Sequence, residues 1–321
     1  MLITNSSIQP PFLQFNGHLQ TIIPGLFRRV KGVNYLRQRL ETPDNDFLDL
    51  DWSKVNGKDL VIICHGLEGN TSRAYIKGMV KAFNDSGLDA LAWNYRGCSE
   101  EMNKALRFYH SGATDDLNLV INEVTESTTY ENIFLIGFSL GGNLVLKYLG
   151  EKSEFSRGII KRAATFSVPL QLYSSSIRLT EGFGQVYGRR FLRKLKDKVR
   201  RKAPLFPHEL DTKKLKEIRS LMVFDDHYTA PIHGFGNALN YYQSCSSINF
   251  IDQINVPTLI VNALNDPFLS DECYPYDQIS QHPFVHLETP TSGGHCGFRN
   301  GNSSTHYWSE QRAVEFLLNS Q

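Results

Sequence analysis

The chain has 321 residues and a nearly balanced charge, with 34 Lys and Arg against 33 Asp and Glu and a formal net charge of +1. Hydrophobic residues make up 41% and charged residues 21%, a globular composition that argues against disorder. The charge balance gives no reason to expect a nucleic-acid partner, because nucleic-acid surfaces need clustered excess Lys and Arg. The length allows two domains of about 150 residues, although single α/β domains often run longer.

The cysteines and the N-terminal residues bear on location. The five cysteines form no CxxC pair, so we predict neither a disulfide framework nor a zinc ribbon. Residues 1–15 carry no Lys or Arg and contain Pro10 and Pro11, which makes a poor signal peptide. No apolar run approaches about 18 residues, so no transmembrane helix is expected. These features predict a soluble cytoplasmic protein.

The first elements in chain order are predicted to form a hairpin. Residues 34–41 and 47–53 flank a Thr-Pro-Asp-Asn turn at 42–45, and apolar residues partly alternate in the second segment. This pattern indicates two antiparallel strands.

After the hairpin, short apolar runs alternate with helical stretches. The runs are typical of strands buried on both faces of a parallel sheet. They span 59–64, 89–93, 132–136, 257–263 and 284–288. Apolar spacing predicts helices over 71–85, 114–125 and 307–318. Strands alternating with helices indicate an open, mostly parallel sheet wrapped by helices.

Residues 168–254 interrupt this alternation with aromatic clusters, prolines and a basic run. We expect this segment to be a cap or lid insertion at the carboxyl edge of the sheet, where open α/β proteins bind ligands. The cap would belong to one domain spanning 1–321.

The segment 132–146 carries the strongest chemical signal. A predicted strand runs directly into Gly137-Phe138-Ser139-Leu140-Gly141 and then into a helix, the context of a Gly-x-Ser-x-Gly nucleophile elbow. The sharp turn needs small neighbours on both sides of the serine, which the two glycines supply. Ser139 is therefore the predicted nucleophile, at the positive end of the helix.

A serine nucleophile needs a base that is itself oriented by an acid, and in this arrangement they follow in the order Ser, Asp or Glu, His. Asp266 comes just after the predicted strand 257–263, and His295 lies in a glycine-rich loop after the strand 284–288. His295 would take the proton of Ser139, and Asp266 would fix its tautomer. The alternatives are that Asp266 is only a turn residue before proline, with Asp271 and Asp277 as rival acids, and that His295 is structural.

Acyl transfer also needs donors for the tetrahedral oxyanion. The backbone N–H groups of Leu67, in the loop His65-Gly66-Leu67-Glu68-Gly69, and of Leu140, directly after the nucleophile, are the natural pair. We interpret His65 as a loop-packing residue rather than a second base.

Two groups of side chains are candidate metal ligands. Asp225, Asp226 and His227 lie near His233, and His282 and His286 are four residues apart, but neither group has the spacing of a metal site. The proposed chemistry needs no metal, and we predict no metal or cofactor.

The stretch Arg189–Lys202 contains nine basic residues and a single acid, Asp197. It could contact an anionic membrane surface weakly or bind a phosphate-bearing substrate. We favour a solvated cap helix with its apolar residues facing the body of the protein.

These motifs together resemble the α/β-hydrolase superfamily across about residues 30 to 320, and specifically its YheT-like branch. The resemblance to that branch rests on the segments 16–22, 65–69, 94–99, 137–142, 229–235 with 241–242, and 293–295. It implies an α/β-hydrolase fold with a mostly parallel sheet of the eight-stranded type and a helical cap.

The resemblance further implies a serine esterase or lipase that acts on a small-molecule acyl ester, with Ser139, Asp266 and His295 as its triad. Ala113 stands where relatives commonly place Glu, which affects the local loop contacts. Relatives are often membrane-anchored, but no anchor precedes Pro10 and none is expected here. Two alternatives stay open: an acyltransferase that uses the same triad, and a non-catalytic ligand-binding protein.

Overall fold

A computed structural model describes residues 1–4, 6, 8–301 and 305–319 of the protein. Within these residues a single mixed sheet forms the centre of the molecule. Its nine strands are β1 (Leu2–Ile3), β2 (Leu36–Glu41), β3 (Phe47–Ser53), β4 (Asp59–Cys64), β5 (Asp89–Asn94), β6 (Asn132–Phe138), β7 (Ile160–Phe166), β8 (Thr258–Val261) and β9 (Val285–Glu288). Their spatial order is β1-β9-β8-β7-β6-β4-β5-β3-β2.

The helices lie between and after these strands. They are α1 (Gly17–Phe27), α2 (Ala74–Asp85), α3 (Thr114–Ser127), α4 (Leu140–Glu151), α5 (Ser153–Ile159), α6 (Leu172–Arg178), α7 (Gly184–Lys202), α8 (Leu221–Phe224), α9 (Ala230–Ile232), α10 (Ala238–Cys245), α11 (Tyr276–Ser280) and α12 (Trp308–Leu318). In the described part of the chain, no helix has the length and apolar character needed to cross a membrane.

The predicted hairpin and parallel sheet are both present. β2 pairs antiparallel with β3, which pairs antiparallel with β5. The remaining pairings, which run from β5 through β4, β6, β7, β8 and β9 to β1, are all parallel. The sheet has one strand more than the eight-stranded type expected from the resemblance.

Several elements differ from the predictions, among them β1 and α1, which the sequence patterns do not indicate. β7 was not predicted, because Lys161 and Arg162 near its start break the apolar run that marks the other buried strands. The helix expected from residue 71 begins instead at Ala74. Thr71 is held outside it, since its hydroxyl donates to Asp51 Oδ2 at 2.5 Å and its amide donates to Asn94 Oδ1 at 3.2 Å.

The sheet is covered on both faces by apolar side chains. On one face α3 buries Leu117, Val120, Ile121 and Val124, which lie at helical spacing, against the strands. On the other face α2 and α12 contribute Met79, Phe83 and Phe316. Burial on both faces explains why the inner strands are almost continuously apolar.

Residues 168–254 lie between β7 and β8 and contain helices α6 to α10, with no strand. They have an apolar cluster of their own, in which Leu192 and Val199 of α7 pack with Leu215 and Phe224. A π-helical turn over Asp225–Thr229 joins α8 to α9.

Candidate active site

Ser139 lies at the junction where β6 ends and α4 begins. Its backbone has φ 53° and ψ −120°, a region that residues with a side chain rarely adopt. A Cβ on Gly137 would lie 2.5 Å from the Gly141 carbonyl oxygen, and one on Gly141 would lie 2.4 Å from the Cys64 carbonyl oxygen. Both glycines are therefore required by close backbone contacts, in agreement with the elbow predicted from the sequence.

The structure brings together Ser139, Asp266 and His295. His295 Nε2 lies 2.9 Å from Ser139 Oγ, and His295 Nδ1 lies 2.9 Å from Asp266 Oδ2 and 3.1 Å from Oδ1. The Asp266 side chain is fully buried and that of His295 is only 10% exposed. Among the described residues, the rival Asp271 forms no such contact with His295, and Asp277 is exposed on α11.

The charge of Asp266 governs the protonation of His295. Burial by itself lowers the pKa of the imidazole, but the buried Asp266 carboxylate in direct contact, together with the neighbouring Cys296, raises the pKa above its ordinary value. With Nδ1 protonated and donating to Asp266, Nε2 is the ring nitrogen free to accept the serine proton.

Phe268 contacts both Asp266 and His295, and the sequence patterns do not single it out. Its ring stacks on the His295 imidazole with centroids 3.9 Å apart and planes 15° from parallel. Its amide donates to Asp266 Oδ1 at 2.9 Å. The only sequence signal was the Asp-Pro-Phe turn after β8, which indicates a turn without specifying the stacking.

Helix α1 holds the loop that carries His295. Gln20 Oε1 accepts from the Gly293 amide at 2.7 Å and from Asn265 Nδ2 at 3.0 Å. Thr21 Oγ1 accepts from the His295 amide at 2.8 Å. These positioning residues were missed, although they lie in the segment 16–22 that carried part of the resemblance.

The loop after β4 and the start of α4 present free backbone donors beside Ser139. The amides of Leu67 and Leu140 donate no hydrogen bond to any described residue, and both residues line a cavity that includes Ser139. The neighbouring amide of Gly66 is occupied by the Tyr75 hydroxyl at 3.0 Å. Of these three amides, those of Leu67 and Leu140 are without a partner among the described residues, and their role as oxyanion donors stays a prediction.

His65 supports this loop from within. Its Nδ1 lies 2.8 Å from the Gly66 carbonyl oxygen, and its Nε2 accepts from the Tyr95 amide at 3.4 Å. Burial lowers the pKa of His65 to about 3, so the ring stays neutral at physiological pH. It is a packing residue of the loop, as interpreted from the sequence.

Two cavities open on the serine. The apolar cavity, about 110 Å³, is lined chiefly by apolar side chains of residues 168–254 together with Leu140, including Leu172, Leu179, Tyr241 and Tyr242. The mixed cavity, about 190 Å³, lies between α1 and α7 and is lined by apolar residues such as Ile22 and Leu26 and by charged ones. Ser139 and His295 line both cavities.

Several of the candidate metal ligands form hydrogen bonds within the protein instead. Asp225 accepts hydrogen bonds from Tyr242 at 2.7 Å and Thr229 at 2.6 Å, and Asp226 accepts from the Ala238 amide at 3.0 Å. His233 bonds backbone carbonyl oxygens. No group of three or more His, Cys, Asp or Glu side chains is arranged for a metal ion in the part of the chain that the structure describes.

The basic stretch 189–202 lies on α7 and is less exposed than expected for a solvated face. Leu192 and Val199 are buried, as predicted. Four of the nine basic residues also point inward: Lys198 pairs with Glu68 at 2.8 Å, and the ammonium groups of Lys194, Lys196 and Lys202 donate to backbone carbonyl oxygens. The exposed cations are the five arginines of the stretch.

Comparison with known proteins identifies the class. Residues 59–301 match the family model described as alpha/beta hydrolase fold. The chain therefore belongs to the α/β-hydrolase family, which agrees with the fold and with the elbow at Ser139.

Within this family the chain is similar to "Putative esterase YheT" of Escherichia coli (strain K12), with 35% identity over 94% of this chain and 90% of that protein. It is 28% identical to the monoacylglycerol lipase of Saccharomyces cerevisiae, over 84% of this chain and 60% of that protein. It is 26% identical to the mouse phospholipase ABHD3, over 88% and 71% of the two chains.

Solved structures agree on the fold. An esterase of Pyrococcus furiosus, Pf2001, superimposes with a TM-score of 0.58 over 98% of this chain and 97% of that one, at 16% identity.

The YheT-like assignment is confirmed, and the predicted class of enzyme, a carboxylic ester hydrolase, is supported by the relatives.

Proposed function

We propose that the protein is a serine hydrolase that cleaves carboxylic esters through an acyl-Ser139 intermediate, with His295 as general base and Asp266 as its orienting acid. The observation that carries this proposal is the continuous series of contacts from Ser139 Oγ through the His295 ring to the buried Asp266. A serine with such partners has the base that its weakly nucleophilic hydroxyl needs.

In the first half of the reaction, Ser139 Oγ attacks the ester carbonyl carbon while His295 Nε2 takes the hydroxyl proton. The carbonyl oxygen becomes an oxyanion and accepts hydrogen bonds from the amides of Leu67 and Leu140. When the tetrahedral intermediate collapses, the bond to the alcohol oxygen breaks, and His295 returns the proton to that oxygen. The products are the free alcohol and the acyl-enzyme.

In the second half, water replaces the alcohol. The water oxygen attacks the acyl carbon while His295 takes a proton from that water molecule. The amides of Leu67 and Leu140 stabilise the second oxyanion. Collapse breaks the bond to Ser139 Oγ, which regains the proton from His295. The carboxylic acid then leaves, and no metal or cofactor takes part.

The two cavities support a division of the substrate. The apolar cavity offers the environment that a hydrocarbon chain favours, so we assign it the acyl group. The mixed cavity receives the alcohol, whose oxygen would lie on the side of His295 that returns the proton. Residues 168–254, which supply most of the apolar lining, would act as the cap within a single domain.

A p-nitrophenyl ester chain-length series tests the function. We expect turnover by the wild type and loss of turnover in Ser139→Ala with an unchanged circular dichroism spectrum. Substantial residual turnover in a well-folded Ser139→Ala variant would contradict the assignment of the nucleophile.

Acyl transfer to an alcohol is a second candidate. It is favoured by the 27% identity, over 80% of this chain, to a Saccharomyces cerevisiae protein named medium-chain fatty acid ethyl ester synthase/esterase 2. The acyl-enzyme is common to both reactions, so the nucleophile that enters the site decides the product. Adding ethanol to the assay and measuring the ratio of ethyl ester to free acid separates the two functions.

We further propose a role in lipid-ester metabolism in the cytoplasm and a weak contact of Arg189–Lys202 with anionic membrane surfaces. The five exposed arginines of this stretch support that contact. Co-sedimentation with vesicles of phosphatidylserine and phosphatidylcholine, against phosphatidylcholine alone, tests it. Equal binding to both vesicles would contradict an electrostatic contact.

A further inference from the structure

Three cationic side chains line the mixed cavity beside the triad. Arg73 precedes α2, and Arg190 and Lys194 lie one helical turn apart on α7. Arg73 Nη2 and Lys194 Nζ donate to the same acceptor, the backbone carbonyl oxygen of Glu68, at 3.2 and 3.1 Å. Arg190 is exposed at the cavity wall.

Within the described ranges, no carboxylate forms a direct ion pair with these three cations. The one acidic side chain in the cavity wall is Glu68, and its Oε1 is already engaged by Lys198 at 2.8 Å and by the Tyr109 hydroxyl at 2.8 Å. Arg28, the other cation of this cavity, pairs with Glu310.

The crowding of like charges is unfavourable in the unliganded protein. Burial lowers the pKa of Lys194, and the positive charges of Arg73, Arg190 and Lys198 lower it further, against the opposing negative charge of Glu68. A bound anion would reduce the repulsion that remains among the three cations, so a negative group that enters the cavity would be stabilised there.

The location of the cations decides which part of an ester they would meet. The acyl chain is assigned to the apolar cavity, which none of the three lines. They line the mixed cavity, to which the alcohol is assigned. Their target is therefore a group carried by the alcohol.

We propose that Arg73, Arg190 and Lys194 form a subsite for an anionic group, a phosphate or a carboxylate, on the alcohol portion of the ester substrate. This inference rests on the proposed function for the orientation of the substrate. It defines the substrate class as acyl esters of acidic alcohols.

A set of esters with one acyl chain tests the subsite. Hexanoyl esters of glycerol, glycerol 3-phosphate, lactate and choline present a neutral, a phosphate, a carboxylate and a cationic alcohol to the same acyl cavity. We expect kcat/KM for the phosphate and carboxylate esters to exceed that for hexanoylglycerol by about tenfold, as half-buried charge-assisted contacts allow. Hexanoylcholine should fall below hexanoylglycerol. Equal values for the four esters would overturn the proposal.

Variants on α7 locate the effect. In Lys194→Gln with Arg190→Gln, the ratio of kcat/KM for the phosphate ester to that for hexanoylglycerol should fall to near one. Lys194→Arg, which keeps the charge, should retain most of the ratio. Arg193→Gln is the matched control, because Arg193 is exposed on the same helix and lines neither cavity. A ratio that survives in the double variant would contradict the assignment.

Binding separates this inference from the proposed function. Titration calorimetry of Ser139→Ala with hexanoylglycerol 3-phosphate and with hexanoylglycerol requires no turnover. We expect several-fold tighter binding of the phosphate ester, and a weaker preference at high ionic strength. Equal dissociation constants would overturn the subsite even if the wild type cleaves esters. Tighter binding of the phosphate ester by a protein that cleaves none would support the subsite and contradict the proposed function.

Discussion

Ser139 has a backbone conformation, φ 53° and ψ −120°, that costs a residue with a side chain about 1–3 kcal/mol. The conformation is kept because β6 and α4 are both fixed on either side of it. The Ser139 amide donates to the Phe166 carbonyl oxygen at 2.9 Å, and its own carbonyl oxygen accepts from Asn143 at 3.0 Å. This backbone conformation places the Ser139 hydroxyl where the two cavities meet.

The substitution Asp266→Asn tests whether Asp266 is the residue that orients His295. An asparagine amide can no longer hold the His295 tautomer that leaves Nε2 as the acceptor, so we expect ester turnover to fall by about 10⁴. Asp271→Asn is the control, since Asp271 lies five residues on and does not contact His295. A harmless Asp266→Asn together with a severe Asp271→Asn would show that the acid has been misassigned.

The pH dependence of kcat/KM tests the same contact. In the proposed mechanism His295 must be neutral to accept the proton of Ser139, so we expect activity to rise with pH as the imidazole loses its charge. Because Asp266 raises the pKa of His295, this rise should lie above the ordinary histidine value of about 6.5 in the wild type. In Asp266→Asn, the increase of residual activity with pH should occur at a lower pH than in the wild type. An unshifted profile in the variant would contradict the electrostatic role of Asp266.

At the scale of elements, the site is assembled where strands end. Asp266 follows β8 and His295 follows β9, and the carboxyl ends of neighbouring parallel strands meet at one edge of the sheet. Helix α1 then closes this edge, with a Gly17 Cβ position only 1.9 Å from the Asn265 carbonyl oxygen. The close approach leaves room for glycine alone.

Thr21→Val tests the contribution of α1. Valine removes the acceptor of the His295 amide at nearly constant volume, and a partly buried amide without a partner costs about 1–3 kcal/mol. We expect kcat to fall by about tenfold or more with little change in KM. Thr21→Ser, which keeps the hydroxyl, should restore kcat. Equal kcat values for valine and serine would show that this hydrogen bond does not position the base.

The sequence patterns predicted the elements whose signals are local. The run 59–64 is a strand over those residues, and the glycines around Ser139 marked the elbow. The roles of Gln20 and Thr21 could not be predicted, because their partners are 273 and 274 residues away and a polar acceptor on a short helix leaves no periodic pattern. The inward lysines of α7 could not be predicted for a related reason, since their partners, backbone carbonyl oxygens and the Glu68 carboxylate, are defined only by tertiary packing.

At the scale of the whole molecule, a buried arginine joins distant segments. The Arg96 guanidinium, after β5, contacts Asp116 of α3 at 2.8 Å and both Asp44 and Asp46 before β3 at 2.9 Å. The side chains of Arg96, Asp46 and Asp116 are at most 3% exposed. The hairpin, the sheet and α3 are therefore held together through one cation.

Arg96→Met tests this connection. Removing the cation leaves the buried Asp116 carboxylate without its ion-pair partner and Asp46 without a neutralising charge, and breaking comparable buried pairs costs about 3–5 kcal/mol. We expect the free energy of unfolding in urea to fall by that amount. Arg193→Met, at an exposed position, is the control and should change it by less than about 0.5 kcal/mol. A small loss in Arg96→Met would show that solvent replaces the arginine.

Labelling with a fluorophosphonate probe, followed by intact-mass analysis and peptide mapping, shows whether Ser139 is an activated nucleophile. Such a probe reacts with a serine only where a base activates it. We expect one adduct per chain, on Ser139, which is absent in Ser139→Ala and strongly slowed in Asp266→Asn. No adduct on the well-folded wild type, or an adduct on another residue, would contradict the account of Ser139 as a nucleophile activated by His295 and Asp266.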